Sequence, residues 1–273
     1  MSRFRWIFVG QNDMGGSALR ALVSAGQRPF LVATRLPREH ENAVAKAAGE
    51  LGLDVIELSS INDQEVSRAV TDAHADVGVC CGWPERFTGV VRESTRHGWL
   101  NLHPSALPLW RGGNPIGWQI ATGQDEVGCT VHWMGSSFDD GPVVARSSVS
   151  LPPDVDGGGA RRLCGHVLGA LAGEVLAESA GHKPPPGQPQ DHAHATRCPP
   201  NHVRPLITTA MTVAVATRIL RGFSPYPGAP ILMENRVVVL ADPIPHANEP
   251  PRTQSGSCAI QFADGWLVGK VLA

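Results

Sequence analysis

WLNLHPSALPLWRGGNP, residues 99–115, decides the fold, because a strand passes here into a rigid polar loop. Side chains alternate between the two faces of a strand, so Asn101 and His103 point to one face and the neighbouring leucines to the other. Pro104 keeps the residue before it extended, and further prolines and a Gly-Gly pair follow. Active sites of open α/β sheets lie where strands end in such loops. The sequence therefore predicts a polar site at the end of this strand.

Strand-like and helix-like segments alternate on both sides of this stretch. Because βαβ units form parallel sheets, the pattern predicts an α/β fold, with a Rossmann-like, mostly parallel sheet and helices on both faces. The predicted strands are residues 4–10, 30–35, 54–58, 75–82, 98–104, 128–134 and 141–151, and the predicted helices are 17–26, 40–52, 62–73, 84–96, 114–123 and 157–179.

The composition of the chain changes twice towards its C-terminus. Residues 1–181 hold the α/β pattern, and residues 182–201 are rich in proline and polar residues, which is typical of a linker. Residues 202–273 are predicted to form a small β-rich C-terminal domain, with turns at Glu234-Asn235 and Asp264-Gly265.

Overall composition excludes several classes of protein. The chain has 273 residues, 42% of them hydrophobic and 18% charged, with a formal net charge of −2, so it is globular and lacks the basic character of a nucleic-acid binder. No signal peptide is visible, and no apolar run approaches the ~18 residues of a membrane span. We expect a soluble, cytoplasmic protein with no membrane partner. Its six cysteines form no CxxC pair and read as reduced structural thiols.

An acidic pair, Asp139-Asp140, follows His103 by 36 residues in the segment SSFDDGPVV. An amide, an imidazole and a carboxylate together can manage acyl transfer. Asn101 would donate to the developing oxyanion, a protonated His103 would supply a second donor, and Asp139 would hold that histidine cationic and take up the amine proton.

Three other motifs keep two interpretations open. The segment GQNDMGG, residues 10–16, is either a phosphate-binding loop or a tight turn whose glycines start a helix. The segment DHAHA, residues 191–195, is too weak a pattern to predict a metal site, and no metal is expected. His132 either packs in the core or lines the active cleft.

The segments NLHPSALPLWRGGNPIGWQI, GCTVHWM and FDDGPVV closely resemble the folate-dependent formyltransferase family. The match extends from about Gly82 to Val144, thins at FVGQNDMGGSALRALV and resumes at RILRGFSPYPGAP, which is similar to the start of the C-terminal domain of the methionyl-tRNA and sugar N-formyltransferase branches. One departure is Ala106, where the family usually has leucine, which removes an apolar side chain from the loop.

The resemblance implies a role for each matching position. Asn101, His103 and Asp139 match the family's catalytic residues, and Leu107–Pro108 is a candidate cis peptide bond. The expected contacts to the folate are Gly82, Trp83, Arg86, Phe87, Gly135, Ser136 and Phe138. The expected contacts to the substrate are Ser105, Arg111, Gly112, Asn114 and Trp118.

The implied activity is transfer of a formyl group from 10-formyltetrahydrofolate to an amine. We expect the acceptor to be a small-molecule or carrier-bound metabolite, such as an amino sugar nucleotide or an amino-acid derivative, because the C-terminal part is too weakly basic to dock tRNA. The alternatives are methionyl-tRNA formyltransferase and formyltetrahydrofolate hydrolase. The sequence leaves open the identity of the amine, the role of the C-terminal domain and whether the protein is a monomer or a homodimer.

Overall fold

A computed structural model describes residues 4–35, 42–179, 183–200, 202–234, 236–246 and 253–272. The chain divides into two compact units that interleave in sequence. The first unit comprises Met1–Gly112, Gly128–Val149 and Arg161–Arg197, and the second comprises Gly113–Val127, Ser150–Ala160 and Cys198–Ala273. The predicted domains follow one another along the chain, so that linear division stays a prediction.

A seven-stranded sheet forms the centre of the first unit, with strand order β3-β2-β1-β4-β5-β6-β7. Strands β1 to β5 pair in parallel, and β6 runs antiparallel to β5. This confirms the predicted mostly parallel α/β sheet. The strands are β1 Trp6–Gly10, β2 Leu31–Arg35, β3 Val55–Leu58, β4 Val77–Cys81, β5 Trp99–His103, β6 Glu126–Trp133 and β7 Val143–Ser150.

The predicted helices are present with changed bounds. They are α1 Asn12–Ser24, α2 Ala43–Glu50, α3 Gln64–Asp72, α4 Gly89–Arg92, α5 Pro115–Ala121 and α6 Gly157–Glu178. The start of α2 at Asn42 follows from its side chain, which accepts hydrogen bonds from the N–H groups of Val44 and Ala45. Among the described residues, no helix combines the length and apolar character that crossing a bilayer demands.

Helix α1 begins five residues earlier than predicted, at Asn12 instead of Ser17. The glycines that suggested a loop lie inside the helix and allow close packing. A Cβ added at Gly16 would lie 2.6 Å from the Ala43 carbonyl oxygen, and one at Gly15 would lie 3.2 Å from that of Cys81. These glycines therefore belong to the first turns of helix α1, and a phosphate-binding role of the segment stays a prediction.

The predicted helix 84–96 is wrong over most of its length, because only Gly89–Arg92 is helical. Side chains of a neighbouring loop bind the backbone of this segment instead. Asn62 donates to the Arg86 carbonyl oxygen and accepts from the Thr88 N–H. These bonds satisfy backbone groups that a helix would otherwise pair, so the chain stays irregular up to Thr88.

The second unit contains helix α7 (Val213–Phe223) and a five-stranded sheet, which agrees with the predicted small β-rich part. The strands are β8 Ile207–Thr208, β9 Ala229–Met233, β10 Arg236–His246, β11 Ser257–Phe262 and β12 Gly265–Val271, in the order β11-β12-β10-β9-β8. Strands β9 and β10, and β11 and β12, are antiparallel neighbours joined at the predicted turn positions. Asn235 of the first turn lies outside the described residues. Buried Phe223 and Leu240 belong to the core of this unit.

A substitution at Gly78 on β4 tests how tightly the side chains on the sheet pack. A Cβ at this position would lie 2.2 Å from the ring of Trp99, which is itself fully buried. We expect Gly78→Ala to lower the free energy of unfolding by about 1–3 kcal/mol, the usual cost of overpacking. Chemical denaturation measures this difference.

Gly49→Ala is the matched control, because no atom lies within 4 Å of the Cβ it would add. Its helical position on α2 should yield a gain of about 0.5–1 kcal/mol. Equal stabilities of the two variants would contradict the packing argument.

Candidate active site

Strand β5 presents Asn101 and His103 on one face, as the alternation predicts. Leu100 and Leu102 are fully buried on the opposite face. The antiparallel neighbour β6 places His132 directly opposite Asn101 and Thr130 opposite His103. Directly opposed residues of antiparallel strands have close Cβ atoms, so the pairing brings His132 to the candidate site.

The Asp139 carboxylate lies in the loop after β6 and contacts Asn101, His103 and His132. Its Oδ1 accepts a hydrogen bond from Asn101 Nδ2 at 3.0 Å, and its Oδ2 accepts from the Gly112 N–H at 2.7 Å. The same Oδ1 lies 3.5 Å from His103 Nδ1 and 3.5 Å from His132 Nε2. The structure thus brings Asn101, His103 and Asp139 together and adds His132.

Backbone carbonyl groups fix which nitrogen of each histidine carries a proton. His103 Nε2 lies 3.0 Å from the Trp110 carbonyl oxygen and must donate to it, so in the neutral ring Nδ1 carries the lone pair and faces Asp139. His132 Nδ1 donates in the same way to the Trp133 carbonyl oxygen at 2.8 Å. His132 Nε2 therefore accepts from Asn101 Nδ2 at 3.0 Å.

Both amide protons of Asn101 are consequently engaged, one by His132 and one by Asp139. An amide has only two N–H donors. Donation to a developing oxyanion would therefore require one of these two hydrogen bonds to be exchanged.

Burial lowers the pKa of His103 below its usual value, and this effect outweighs the Asp139 charge, which raises that pKa. Removal of the ring from water favours its neutral form, which opposes the expectation that Asp139 holds His103 cationic, and that expectation stays a prediction. The pKa of Asp139 lies well below its usual range. Burial raises this pKa, but attraction to His103 and His132, together with the hydrogen bond from Gly112, lowers it by more. With His103 neutral, the N–H groups of Gly112 and Asn101 still hold the charge of the carboxylate.

Most of the cysteines are buried thiols. All six are free, and five are buried. Cys80, the parallel partner of Asn101, has a pKa raised to about 12 by burial and stays protonated. Among the described residues, no three His, Cys, Asp or Glu side chains are arranged to hold a metal ion.

The two segments expected to contact folate lie beside each other. Arg86 Nη1 donates to the Ser136 carbonyl oxygen at 3.3 Å, which joins the loop after β4 to the loop after β6. Phe138 is 43% exposed, whereas Trp83 and Phe87 are buried, and Phe87 packs edge-on against Trp99 with ring centroids 4.9 Å apart. Gly82 has a φ of 74°, and Gly135 contacts Asp140. Phe138 and Arg86 therefore offer exposed side chains, while Trp83 and Phe87 belong to the core.

The predicted substrate contacts in the first unit are Ser105, Arg111 and Gly112. Ser105 is fully buried and donates to the Leu109 carbonyl oxygen at 2.7 Å. The Arg111 guanidinium is also buried, and it donates to Gln190 and to His192. Gly112 binds Asp139 through its N–H. All three residues make hydrogen bonds within the protein beside the candidate site. The Leu107–Pro108 peptide bond, which the resemblance made a candidate, is cis.

The other two predicted substrate contacts, Asn114 and Trp118, lie in the second unit. Asn114 caps helix α5 by accepting from the Gly117 N–H. Trp118 packs edge-on against Phe223, with ring centroids 5.5 Å apart. Their assignment to substrate binding stays a prediction.

Two residues of the site lay outside the predicted catalytic set. Opposition across β5 and β6 places His132 there, and its position on an alternating strand had kept a pocket-lining role open. Gln190 comes from the Pro-rich segment that reads as a linker, and no periodic pattern marks it. Only its hydrogen bonds in the folded structure reveal it.

Comparisons with known proteins agree with the architecture. The sequence profile described as "Formyl transferase" matches residues 16–158. The methionyl-tRNA formyltransferase of Cutibacterium acnes is 33% identical over 82% of this chain and 74% of its own length. That of Chloroflexus aurantiacus is 30% identical over 82% of this chain and 75% of its own length.

Two solved structures share the fold. The N-formyltransferase from Helicobacter canadensis, in complex with folinic acid and dTDP-3-aminofucose, has a TM-score of 0.63 at 12% identity and covers 98% of this chain and 99% of that one. HypX from Aquifex aeolicus has a TM-score of 0.70 at 16% identity over 98% of this chain, which spans 44% of HypX.

Burial of the His103 ring lowers its pKa, and this predicts that the stability of the protein depends on pH. Because its folded pKa is lowered, the unfolded chain binds more protons, so stability is fully present above the unfolded pKa and is lost as pH falls towards the folded value. We expect the fall in Tm between pH 7.5 and pH 5.5 to be smaller in His103→Asn than in the wild type. His194→Asn is the control, because His194 is exposed. Equal slopes in all three proteins would contradict the buried neutral imidazole.

Proposed function

Because the chain belongs to the formyl transferase family and is a folate-dependent formyltransferase, we propose that its acceptor is an amine on a small molecule or a carrier-bound metabolite. The formyl donor is 10-formyltetrahydrofolate. Amino sugar nucleotides and amino-acid derivatives are the acceptor classes that we favour. The solved relative from Helicobacter canadensis holds dTDP-3-aminofucose, which belongs to the first class.

The charge of the second unit is the observation that carries this choice. Its sequence contains six basic and eight acidic residues, so its formal charge is negative. Arg204 and Arg221 also donate to backbone carbonyl groups within the unit. Docking of tRNA depends on several contacts between basic side chains and phosphates. A unit with a negative formal charge is poorly suited to such contacts with tRNA phosphates.

Methionyl-tRNA is the second candidate acceptor, because the relatives from Cutibacterium acnes and Chloroflexus aurantiacus are methionyl-tRNA formyltransferases. Binding of tRNA would rest on counterion release, so its affinity would fall steeply with salt. A small amine would bind with little dependence on salt. The salt dependence of turnover therefore separates the two acceptors.

The donor supplies a formyl group that is already activated by its folate nitrogen. One observation fits such a molecule near the predicted contacts: Asp140 Oδ1 is buried, has no hydrogen-bond partner among the described residues and lies beside Gly135. A reduced pterin carries amino and ring N–H donors, which an orphan carboxylate oxygen can accept. Asp140 is therefore added to Arg86, Ser136 and Phe138 as a group that would hold the donor.

In the proposed reaction, His103 acts as the general base. Its Nε2 is committed to the Trp110 carbonyl, so Nδ1 is the nitrogen that accepts a proton from the attacking amine. Protonation at Nδ1 creates an imidazolium beside Asp139 Oδ1, which lies 3.5 Å away. The carboxylate therefore stabilises the charge that His103 acquires during the reaction, in place of the resting cation expected from the sequence. The imidazolium then returns this proton to the folate nitrogen as the bond between that nitrogen and the formyl carbon breaks, which releases tetrahydrofolate and leaves the formylated amine.

Asn101 is the proposed donor to the formyl oxygen as negative charge develops there. One of its two N–H bonds must be exchanged for this, and the contact with His132 is the one whose loss leaves Asp139 satisfied. The bond to Asp139 then keeps the amide oriented. Loss of one oxyanion donor typically costs ~3 kcal/mol, which corresponds to about a hundredfold in rate.

Substitutions of the three side chains test these roles. We expect Asn101→Ala, His103→Ala and Asp139→Ala each to reduce kcat about a hundredfold or more while the protein stays folded by circular dichroism. His194→Ala is the matched control, because its exposed ring binds only Asp191 in the described structure. A purified Asp139→Ala protein with wild-type turnover would remove the role assigned to that carboxylate.

The acceptor is tested by following folate absorbance with no amine, with amino sugar nucleotides, with amino-acid derivatives and with methionyl-tRNA. We expect turnover only with a small amine, and a kcat/KM that changes little between low and physiological salt. Turnover without amine would identify a hydrolase instead. Turnover with methionyl-tRNA alone, weakened steeply by salt, would establish the second candidate.

A further inference from the structure

The Pro-rich segment after helix α6 belongs to the first unit and is hydrogen-bonded to the rest of that unit at two points. Gln188 and Val143 exchange two backbone hydrogen bonds, of 2.7 and 2.8 Å. Thr196 accepts at its carbonyl oxygen from the Arg111 N–H at 2.9 Å, and its hydroxyl accepts from the Trp110 N–H at 2.8 Å. Residues 188–196 therefore run across the loops that follow β5 and β6, and we call them the strap.

Gln190 lies between these two points and is buried, with 5% of its surface exposed. Its Oε1 accepts from Arg111 Nη2 at 2.7 Å and from Arg111 Nε at 3.2 Å. Its Nε2 donates to the carbonyl oxygens of Asp139 at 2.9 Å and Gly141 at 2.7 Å. All four hydrogen-bonding positions of the amide are filled, so no other side chain of this length replaces it.

The two carbonyl groups that Gln190 binds belong to the backbone around the catalytic carboxylate. Asp139 has a φ of 57°, in the left-handed region that non-glycine residues rarely adopt. Such a conformation persists when the surrounding structure fixes it. The bonds to the carbonyl oxygens of residues 139 and 141 hold the backbone directly after the strained torsion.

The other end of Gln190 holds the loop that carries Gly112. Arg111 is buried, and its guanidinium is bound by Gln190 and by His192 Nδ1 at 3.2 Å. Gly112, the next residue, donates its N–H to Asp139 Oδ2. Gln190 thus connects the backbone of Asp139 to the loop whose N–H group binds its carboxylate.

We propose that Gln190 is a positioning residue that orients the Asp139 carboxylate towards His103 during formyl transfer. The proposal rests on the proposed function of the site. Gln190 itself touches neither reacting group, because it acts through the backbone of Asp139 and through Arg111. A shift of about 1 Å at a catalytic group can cost as much as a hundredfold in rate, which makes such a support measurable.

The competing role for Gln190 is a simpler one, in which it only satisfies the buried guanidinium of Arg111. The two roles predict opposite results for Gln190→Glu. A glutamate still accepts from Arg111, with an added charge that strengthens the pair. It cannot donate to the carbonyl oxygens of Asp139 and Gly141, and it places a carboxylate oxygen against them.

The test compares kcat and KM of Gln190→Glu and Gln190→Met with the wild type. We expect both variants to lower kcat at least about tenfold while KM for the donor changes less than about twofold. Gln188→Glu is the matched control, because it makes the same change at an exposed side chain of the same strap. A folded Gln190→Glu with wild-type kcat would overturn the proposal in favour of the simpler role.

A double-mutant cycle with Asp139 asks whether the effect passes through that carboxylate. In an Asp139→Asn background, Gln190→Met should cause little further loss of kcat, because the group that it positions is already gone. Additive losses would overturn the proposal, since they would place the action of Gln190 elsewhere.

Titration of the His103 ring by NMR tests the same idea without turnover. The groups that face His103 are Asp139, which raises its pKa, and His132 and Arg111, which lower it. We expect a lower His103 pKa in Gln190→Met than in the wild type, because a displaced Asp139 raises it less. An unchanged pKa would overturn the proposal. If the wild type turned over no amine, the proposed function would fail. The NMR titration would still show whether Gln190 positions Asp139 beside His103.

Discussion

Burial of the Asp139 charge is the constraint on which the site depends. A buried carboxylate is costly unless donors and positive charges compensate it. The Gly112 N–H and the Asn101 amide donate to its two oxygens for this reason. The same burial lowers the pKa of His103 and so favours the neutral form of its ring. The chemistry therefore follows from how the fold compensates one negative charge.

The sheet supplies this compensation through a change of strand direction. Strands β1 to β5 are parallel, and β6 reverses. The reversal sets Asn101 opposite His132. A parallel partner for β5 would require a crossover of a dozen or more residues and would lose this opposition. Because β6 ends opposite the start of β5, Asp139 and Gly112 come from opposite ends of this strand pair and meet beside Asn101.

Much of this was predictable from periodicity, and the remainder lacked a local signal. Alternation identified β5, and the run of strands and helices identified the sheet. The start of α1 was missed because Gly15 and Gly16 usually mark loops, whereas here they allow close helix packing. The loop before α4 depends on Asn62, a side chain from another segment. The charge state of His103 depends on burial, and burial is a property of the folded chain.

The position of the strap in the sequence determines when the last residues around the site are synthesised. During synthesis the chain emerges from its N-terminus, at about 5–20 residues per second. Asn101, His103 and Asp139 are present well before Gln190, whose amide binds the Asp139 backbone. A nascent chain that ends at helix α6 has the strands and the reacting groups but lacks the bond that ties their two loops together. On the proposed role of Gln190, the nascent chain gains a fully positioned Asp139 only after helix α6 and the residues that follow it have been translated.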